Sequence, residues 1–272
     1  MLTSKQLTDI KELQQACEAS ESFELKLNWD MLKTRAGKDK EDFFYYEDGK
    51  LVGFIGLYGF GNKVEICGMV HPDFRRKGIF TRLFREALHE VSEKGYKKVL
   101  LNAPANSKSA KGFLATISCK YSFSEYQMKW EETELDRSED VTVRLSAAVD
   151  FELEVQLEVQ CFGFDEEEAR AYNNERFADD QYLIILFNGE AVGKIRVSHL
   201  DGEAWIFGFA VLPEFQGKGI GRKTLTNIVI KEHEGGFPIF LEVEAKNAHA
   251  LRLYESCGFR AYHSQDYYDL ED

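Results

Sequence analysis

No stretch of the chain reaches the ~18 consecutive apolar residues of a membrane-spanning helix, which excludes a helical membrane protein. The opening residues Met1-Leu2-Thr3-Ser4-Lys5-Gln6 lack the apolar segment of a secretory signal. The five cysteines (Cys17, Cys67, Cys119, Cys161, Cys257) form no CxxC pair, and their odd number argues against a disulfide framework. They read as small buried thiols in a reducing compartment, so a cytoplasmic protein is expected. Positive charge is scarce: 34 Lys and Arg stand against 47 Asp and Glu, a net charge of −13. No basic face or domain is evident, so neither a nucleic acid nor a membrane is an expected partner. His199, His249 and His263 have no spacing suited to a metal or a catalytic triad, and no metal site is expected.

What the chain does have is a repeat. Val70-His71-Pro72-Asp73-Phe74-Arg75-Arg76-Lys77-Gly78-Ile79-Phe80 returns as Val211-Leu212-Pro213-Glu214-Phe215-Gln216-Gly217-Lys218-Gly219-Ile220-Gly221, a shift of 211 − 70 = 141 residues. Each copy follows an apolar run and opens an amphipathic helix. A glycine loop between a strand and a helix start can hold a phosphate, because its N–H groups point outward and the helix dipole favours negative charge. With 272 residues and two copies, the expected division is a first domain over 1–132, a charged linker over 133–140 and a second domain over 141–272. Hydrophobic residues at 44% are enough for a packed core in each.

The second copy reads as a short strand at 141–144, helices over 151–161 and 166–177, and strands over 181–187, 191–198 and 204–211. Asn188-Gly189 and Asp201-Gly202 mark hairpin turns. A helix over 219–233, a strand over 240–245, a helix over 247–257 and a finishing strand over 262–270 follow. The first copy tracks this, with Asp48-Gly49 matching Asn188-Gly189, but it starts in helices (6–19, then 29–35), so a first strand is missing or supplied elsewhere. Its strands are expected over 43–46, 51–59, 64–70 and 99–103, and a helix over 78–94. Helices, an antiparallel meander and then strand–helix–strand define an α+β class.

Two familiar phosphate loops fail. Both GxxxxGK[ST] and GxGxxG require Gly where Arg222 stands. What remains is Gln216-Gly217-Lys218-Gly219-Ile220-Gly221 behind a strand ending Val211-Leu212-Pro213. This resembles the [RQ]xxGx[GA] signature of the GNAT superfamily of acyl-CoA-dependent N-acetyltransferases. Leu241-Glu242-Val243-Glu244, Asn247, Leu253-Tyr254 and Gly258-Phe259 follow in that family's order. The second copy is especially similar to the N-terminal acetyltransferases of ribosomal proteins, and the two-copy layout to tandem GNAT proteins such as mycothiol synthase. The resemblance implies two GNAT-like domains, each a mixed, mostly antiparallel sheet flanked by helices.

It also implies roles. The amides of Gln216, Gly217, Lys218, Gly219, Ile220 and Gly221 would hold the pyrophosphate of acetyl-CoA, with Lys218 and Arg222 adding charge. Phe209, Ala210 and Val211 would pair with the pantetheine arm, and a strand N–H there would face the thioester oxygen. Asn247, two helical turns before Tyr254, would bond the cofactor; Tyr254 would protonate the departing sulfur. Glu242 would act as general base, with Glu203 a weaker candidate. Under the 141 shift, Glu242 becomes Leu101, Glu244 becomes Ala103, Tyr254 becomes Phe113, Gly221 becomes Phe80, and Asn247 keeps its identity as Asn106. The first copy is therefore expected to be silent. The expected activity is acetyl transfer from acetyl-CoA to a primary amine of a small molecule or peptide, in the second domain. A non-catalytic acyl-CoA sensor is the alternative. The acidic run Glu152, Glu154, Glu158 and Asp165 to Glu168 suits a cationic acceptor. Acyl chain length and oligomeric state stay open.

Overall fold

A computed structural model describes residues 1–35, 37, 39–176 and 182–271. The first half runs α1 (Ser4–Glu21), α2 (Trp29–Thr34), β1 (Asp42–Glu47), β2 (Lys50–Phe60), β3 (Lys63–Val70), α3 (Ile79–Lys94), β4 (Lys98–Pro104), α4 (Lys108–Leu114) and β5 (Cys119–Trp130). The second runs β6 (Val141–Leu145), α5 (Phe151–Phe162), α6 (Glu166–Arg176), β7 (Leu183–Phe187), β8 (Glu190–Leu200), β9 (Glu203–Val211), α7 (Ile220–Glu234), β10 (Ile239–Glu244), α8 (Ala248–Ser256) and β11 (Phe259–Leu270). The α+β class and the expected order of elements are met. Phe177 and Gln181, the expected ends of a helix and a strand, lie outside the described residues. Two elements, α4 and β5, have no counterpart in the sequence reading.

The chain divides into two compact units. The first is Met1–Glu125 with His263–Asp272, and the second is Tyr126–Tyr262. The charged stretch 133–140 therefore falls inside the second unit. The expected finishing strand also needs correcting: its residues 265–269 pair antiparallel with β4 and complete the first unit's sheet. The second unit takes the end of β5, beside β10, in its place. No helix among the described residues is long and apolar enough to cross a membrane.

In the first unit, Thr3 caps α1 by a reciprocal pair: its hydroxyl accepts from the Gln6 N–H at 3.2 Å, and Gln6 Oε1 accepts from the Thr3 N–H at 2.9 Å. α3 buries a stripe at helical spacing, Ile79, Leu83, Phe84, Ala87 and Val91. This stripe shares a core with Val52, Ile55 and Leu57 of β2. Leu51, Phe54 and Tyr58 join Ile10, Leu13 and Cys17 of α1 in a separate core. β1, β2 and β3 form an antiparallel meander, and β3 pairs parallel with β4 from Lys63↔Lys98 to Ile66↔Leu101.

The second unit repeats the plan with one strand more, β6, at its edge. β6, β7, β8 and β9 are antiparallel, and β9 pairs parallel with β10 from Ala204↔Ile239 to Ile206↔Leu241. Ile195, Ile206, Leu225, Ile228 and Leu241 form the core, joined by Met128 and Trp130 from β5. On the α5 side, Leu157, Ala210 and Leu212 pack together.

Candidate active site

In both units the parallel ladder ends early. The last pair is Ile206 with Leu241 in the second unit and Ile66 with Leu101 in the first. Beyond it the two strands no longer share a ladder, so that edge of Phe207–Val211 does not pair with β10. In the second unit the same stretch carries a β-bulge. Lys194 pairs with Ala210 and Arg196 with Phe207, so Ile195 alone opposes both Gly208 and Phe209. A bulge leaves its extra residue outside the ladder and turns that backbone away from it. Gly208 has φ +53, and the Tyr182 hydroxyl occupies the place a Cβ would need. β3 has no such shift: its pairing with β2 runs unbroken from Val70 to Lys63.

Above the cleft stands the glycine loop. After the single turn Pro213–Phe215, Gln216 is extended, Gly217 has φ +75 and Gly219 has φ +79, and α7 begins at Ile220. An added Cβ at Gly217 or Gly219 would meet nothing within 4 Å, so it is the left-handed backbone that calls for glycine there. Gln216 secures the turn by donating from Nε2 to the Val211 carbonyl at 2.9 Å. No side chain caps the first turn of α7, so its N–H groups face outward. Lys218 and Arg222 are exposed beside the loop, with the Lys218 ammonium 4.6 Å from the Phe215 ring centroid.

The cleft floor is apolar. A Cβ on Gly221 would stand 3.4 Å from Leu253 and 3.7 Å from Phe209, which brings loop, α8 and β9 to one place. Tyr254 lies in the core beside them, 9% exposed, with its ring 6.1 Å from that of Phe259. Burial pushes its phenol up to about 12. Asn247 is the N-cap of α8; its Oδ1 accepts from the Ala250 N–H at 3.0 Å. Glu242, half-buried, is the first residue of β10 past the last ladder pair. It accepts from Gln127 Nε2 at 3.3 Å. Gln127 is 4% exposed and comes from β5. The sequence reading missed it, and the signal would have been the membership of β5's end in this unit.

Other expectations fall away. Glu203 begins β9, six residues or roughly 20 Å along the strand from Phe209. It accepts from the Trp205 indole N–H at 2.9 Å. Within the acidic run, Glu154 and Glu158 turn inward. Ser146 donates to Glu154, and the Lys194 ammonium pairs with Glu158. Arg170 bridges Glu152 and Glu166 at 2.8 and 3.0 Å. Little of the run is left to attract a cation. Among the described residues, no three His, Cys, Asp or Glu cluster as a metal would require.

Strand register corrects the matching of the two copies. The hairpin turns repeat at 189 − 49 = 140, and the bulge adds the residue that makes the glycine loops repeat at 219 − 78 = 141. α7 has 15 residues against 16 in α3, which restores 140. Leu241 pairs with Ile206 as Leu101 pairs with Ile66, and Asn247 caps α8 as Ser107 caps α4. Glu242 therefore corresponds to Asn102, Glu244 to Pro104, Asn247 to Ser107 and Tyr254 to Leu114. Phe113 corresponds to Leu253. The first unit still lacks a carboxylate and a phenol at these places. Phe80 is also not where bulk at the loop would put it. Its ring lies against Phe113, centroids 4.5 Å apart, and 3.0 Å from where a Cβ on Gly68 would be. The strand phenylalanine and helix glycine of one unit (Phe209, Gly221) have become a strand glycine and helix phenylalanine in the other (Gly68, Phe80).

Comparison with known proteins agrees with this duplicated geometry. The profile described as acetyltransferase (GNAT) family matches twice, over residues 7–115 and 152–259. The chain is 33% identical over 122 residues to the [ribosomal protein bS18]-alanine N-acetyltransferase of Salmonella typhimurium, covering 43% of this chain and 80% of that protein. It is 28% identical over 283 residues to the mycothiol acetyltransferase of Thermomonospora curvata, covering 96% and 92%. Among solved structures, a GCN5-related N-acetyltransferase from Sphaerobacter thermophilus shares the fold with a TM-score of 0.74 at 19% identity, over 96% of this chain and 91% of that one. A tandem GNAT protein from the clavulanic acid biosynthesis pathway gives 0.70 at 15%, over 100% and 97%. The chain belongs to the acetyltransferase (GNAT) family, and it carries that family's domain twice.

Proposed function

We propose that the second unit transfers an acetyl group from acetyl-CoA to a primary amine of a small molecule or peptide. One observation carries this reading: the intact glycine loop, the bulged strand, Glu242 and Tyr254 all occur in the same unit, and the other unit has none of the four, with Arg76 and Phe80 at the places of Gly217 and Gly221. Acetyl-CoA would supply the activated acyl group and a thiolate leaving group. The amides from Gln216 to Gly221 fit a pyrophosphate, because two left-handed glycines and an uncapped helix start aim N–H groups outward. Lys218 and Arg222 add positive charge. The open edge at Phe209, Ala210 and Val211 suits the amide-bearing pantetheine arm. The bulged backbone at Gly208 and Phe209 is free to donate toward a carbonyl oxygen. Asn247 caps its helix through Oδ1, which leaves Nδ2 for the ligand.

The chain's own groups then handle two protons. A primary amine, with a reference pKa near 10.4, is mostly charged at neutral pH and must lose a proton. Glu242, held by Gln127, is placed to receive it through water. Tyr254 faces the sulfur. A phenol near 12 and a thiol near 8.5 differ by about 3.5 pK units, so full transfer from Tyr254 would cost on the order of 5 kcal/mol. Tyr254 therefore acts as a hydrogen-bond donor to the developing thiolate and keeps its own proton; the thiolate leaves as such and is protonated by water. The inward pairing of Glu154 and Glu158 takes two of the seven acidic residues out of reach of a cationic acceptor. A cytoplasmic location fits five free thiols. The test is free-thiol release across an amine panel, with calorimetry against acetyl-CoA. Turnover with at least one amine is expected. Tight binding with no thiol release would mark an acyl-CoA sensor, and no binding would remove the reading altogether.

A further inference from the structure

The first unit has lost its chemistry but not its cleft. A cavity of about 640 Å³ opens between its diverging strands, within the range that takes a small ligand. Its walls are apolar: Ile66, Met69, Phe84, Leu101, Phe113 and Leu114 line it. Aromatic contacts fix their shape, with Phe84 and Phe113 5.4 Å apart and edge-on. A cavity left over from a discarded activity would be expected to fill, since an empty apolar void costs stability. This one has been repacked instead, with the Phe80 ring against Gly68 forming a floor and leaving the space above open.

The polar groups around it are few, and their chemistry is specific. Arg75 is matched by Glu21, whose second carboxylate oxygen accepts from Ser107 Oγ at 3.3 Å and from the Lys108 and Ser109 N–H groups at 3.0 and 3.2 Å. That carboxylate occupies the start of α4. Arg76 and Lys108, both exposed at the rim, keep their charge for something else. Arg76 holds φ +64 where the second unit has a glycine, a strained conformation that preserves the loop's shape. Inside, Asn102 forms part of the wall, and its buried Nδ2 donates to no group of the protein. A buried unpaired amide donor is costly and calls for an acceptor oxygen. The unbulged β3 offers no turned-out backbone as an alternative donor to that oxygen.

We propose that this cleft is a binding site for an acyl ester or amide with an acidic head. The apolar chain lies among Phe80, Phe84, Phe113 and Leu114, the carbonyl oxygen accepts from Asn102, and the carboxylate or phosphate head sits at Arg76 and Lys108. No reaction occurs there, because no carboxylate or phenol stands at the positions of Glu242 and Tyr254.

The full chain should be titrated by calorimetry with dodecanoyl-glycine, hexanoyl-glycine and dodecanoyl lysophosphatidic acid. One site per chain is expected. The longer glycine conjugate should bind at least about tenfold more tightly than the shorter, since six more CH₂ groups leave water. The phosphate-headed probe shows which acidic head is preferred. Arg76→Glu and Lys108→Glu, both on the surface, should weaken binding about tenfold without changing acetyl-CoA turnover. Leu114→Trp, which fills the cleft, should abolish it. Equal affinity for both chain lengths, no binding at millimolar ligand, or loss of binding in Lys218→Glu and not in Arg76→Glu would overturn the proposal. So would two acetyl-CoA molecules per chain, with the second competing against the dodecanoyl probe.

Discussion

Tyr254 and Glu242 have opposite surroundings, and the roles proposed for them follow from that. Tyr254 is buried with no cation nearby, so its ionised form is disfavoured and its proton is retained up to about 12. The sign is unambiguous: a folded value above the reference of 10 keeps the phenol neutral throughout the working range. Activity should rise with pH as the amine deprotonates, with no alkaline fall through about pH 10. Tyr254→Phe should lower kcat by about ten- to a hundredfold, the lower end for general acid chemistry, because donation is partial. An alkaline limb near pH 8–9 that disappears in this variant would show that Tyr254 ionises early, against its burial; an unchanged kcat in the variant would refute the donor role. Glu242 instead accepts from a buried donor, Gln127. Removing a donor to the charged form raises a carboxylate's pKa. Gln127→Leu should therefore move the acidic limb of kcat/KM to higher pH and cost roughly 3- to 30-fold in rate, with acetyl-CoA affinity unchanged. An unmoved limb means that Gln127 is only a packing residue.

The bulge in β9 is the element on which the proposed handling of a thioester rests. Gly208→Ala places a Cβ against the Tyr182 hydroxyl at a left-handed φ, a strain of about 1–3 kcal/mol. The expected result is a lower Tm and a larger loss in kcat than in acetyl-CoA affinity, measured by thermal scan and calorimetry. Equal losses would mean that the bulge only supports the fold. This element also marks the edge of what the sequence reveals. The glycine loop was legible because Gly217 and Gly219 announce a backbone that other residues avoid, and Asn188-Gly189 announced its hairpin in the same way. α3 was legible from the spacing of Ile79, Leu83, Phe84, Ala87 and Val91. The bulge was not, because one inserted residue leaves the alternation of β9 nearly intact. A single offset of 141 therefore mismatched every residue after α7, where the true offset had returned to 140. Gln127 was out of reach for a related reason: its role depends on which sheet β5 joins, and pairing partners are not local information.

At the scale of the whole molecule, the boundaries of the two compact units do not coincide with those of the two sequence copies. The far end of each copy's last strand belongs to the other unit, so the first unit is closed by residues 263–270 and the second contains Gln127, Met128 and Trp130. The borrowed strand contributes a great deal. Tyr267 is fully buried, its hydroxyl donates to Glu125 at 2.7 Å and accepts from Lys26 at 2.7 Å, and its ring stacks on Phe123 at 4.5 Å. Gln265, also fully buried, donates to the Glu24 carbonyl at 2.8 Å. Losing one buried aromatic costs about 3–5 kcal/mol, a large part of the roughly 5–15 kcal/mol that holds a domain together. Removing residues 263–272 should therefore unfold the first unit while the second keeps its glycine loop, Glu242 and Tyr254. Hydrogen exchange should show β4 amides at Leu100 to Ala103 losing protection, and α7 amides at Leu225 to Val229 retaining it. A thermal shift with acetyl-CoA should persist in the shortened chain. If β4 stays protected, the last strand is an accessory to the first unit; if α7 also loses protection, the two units fold only as one.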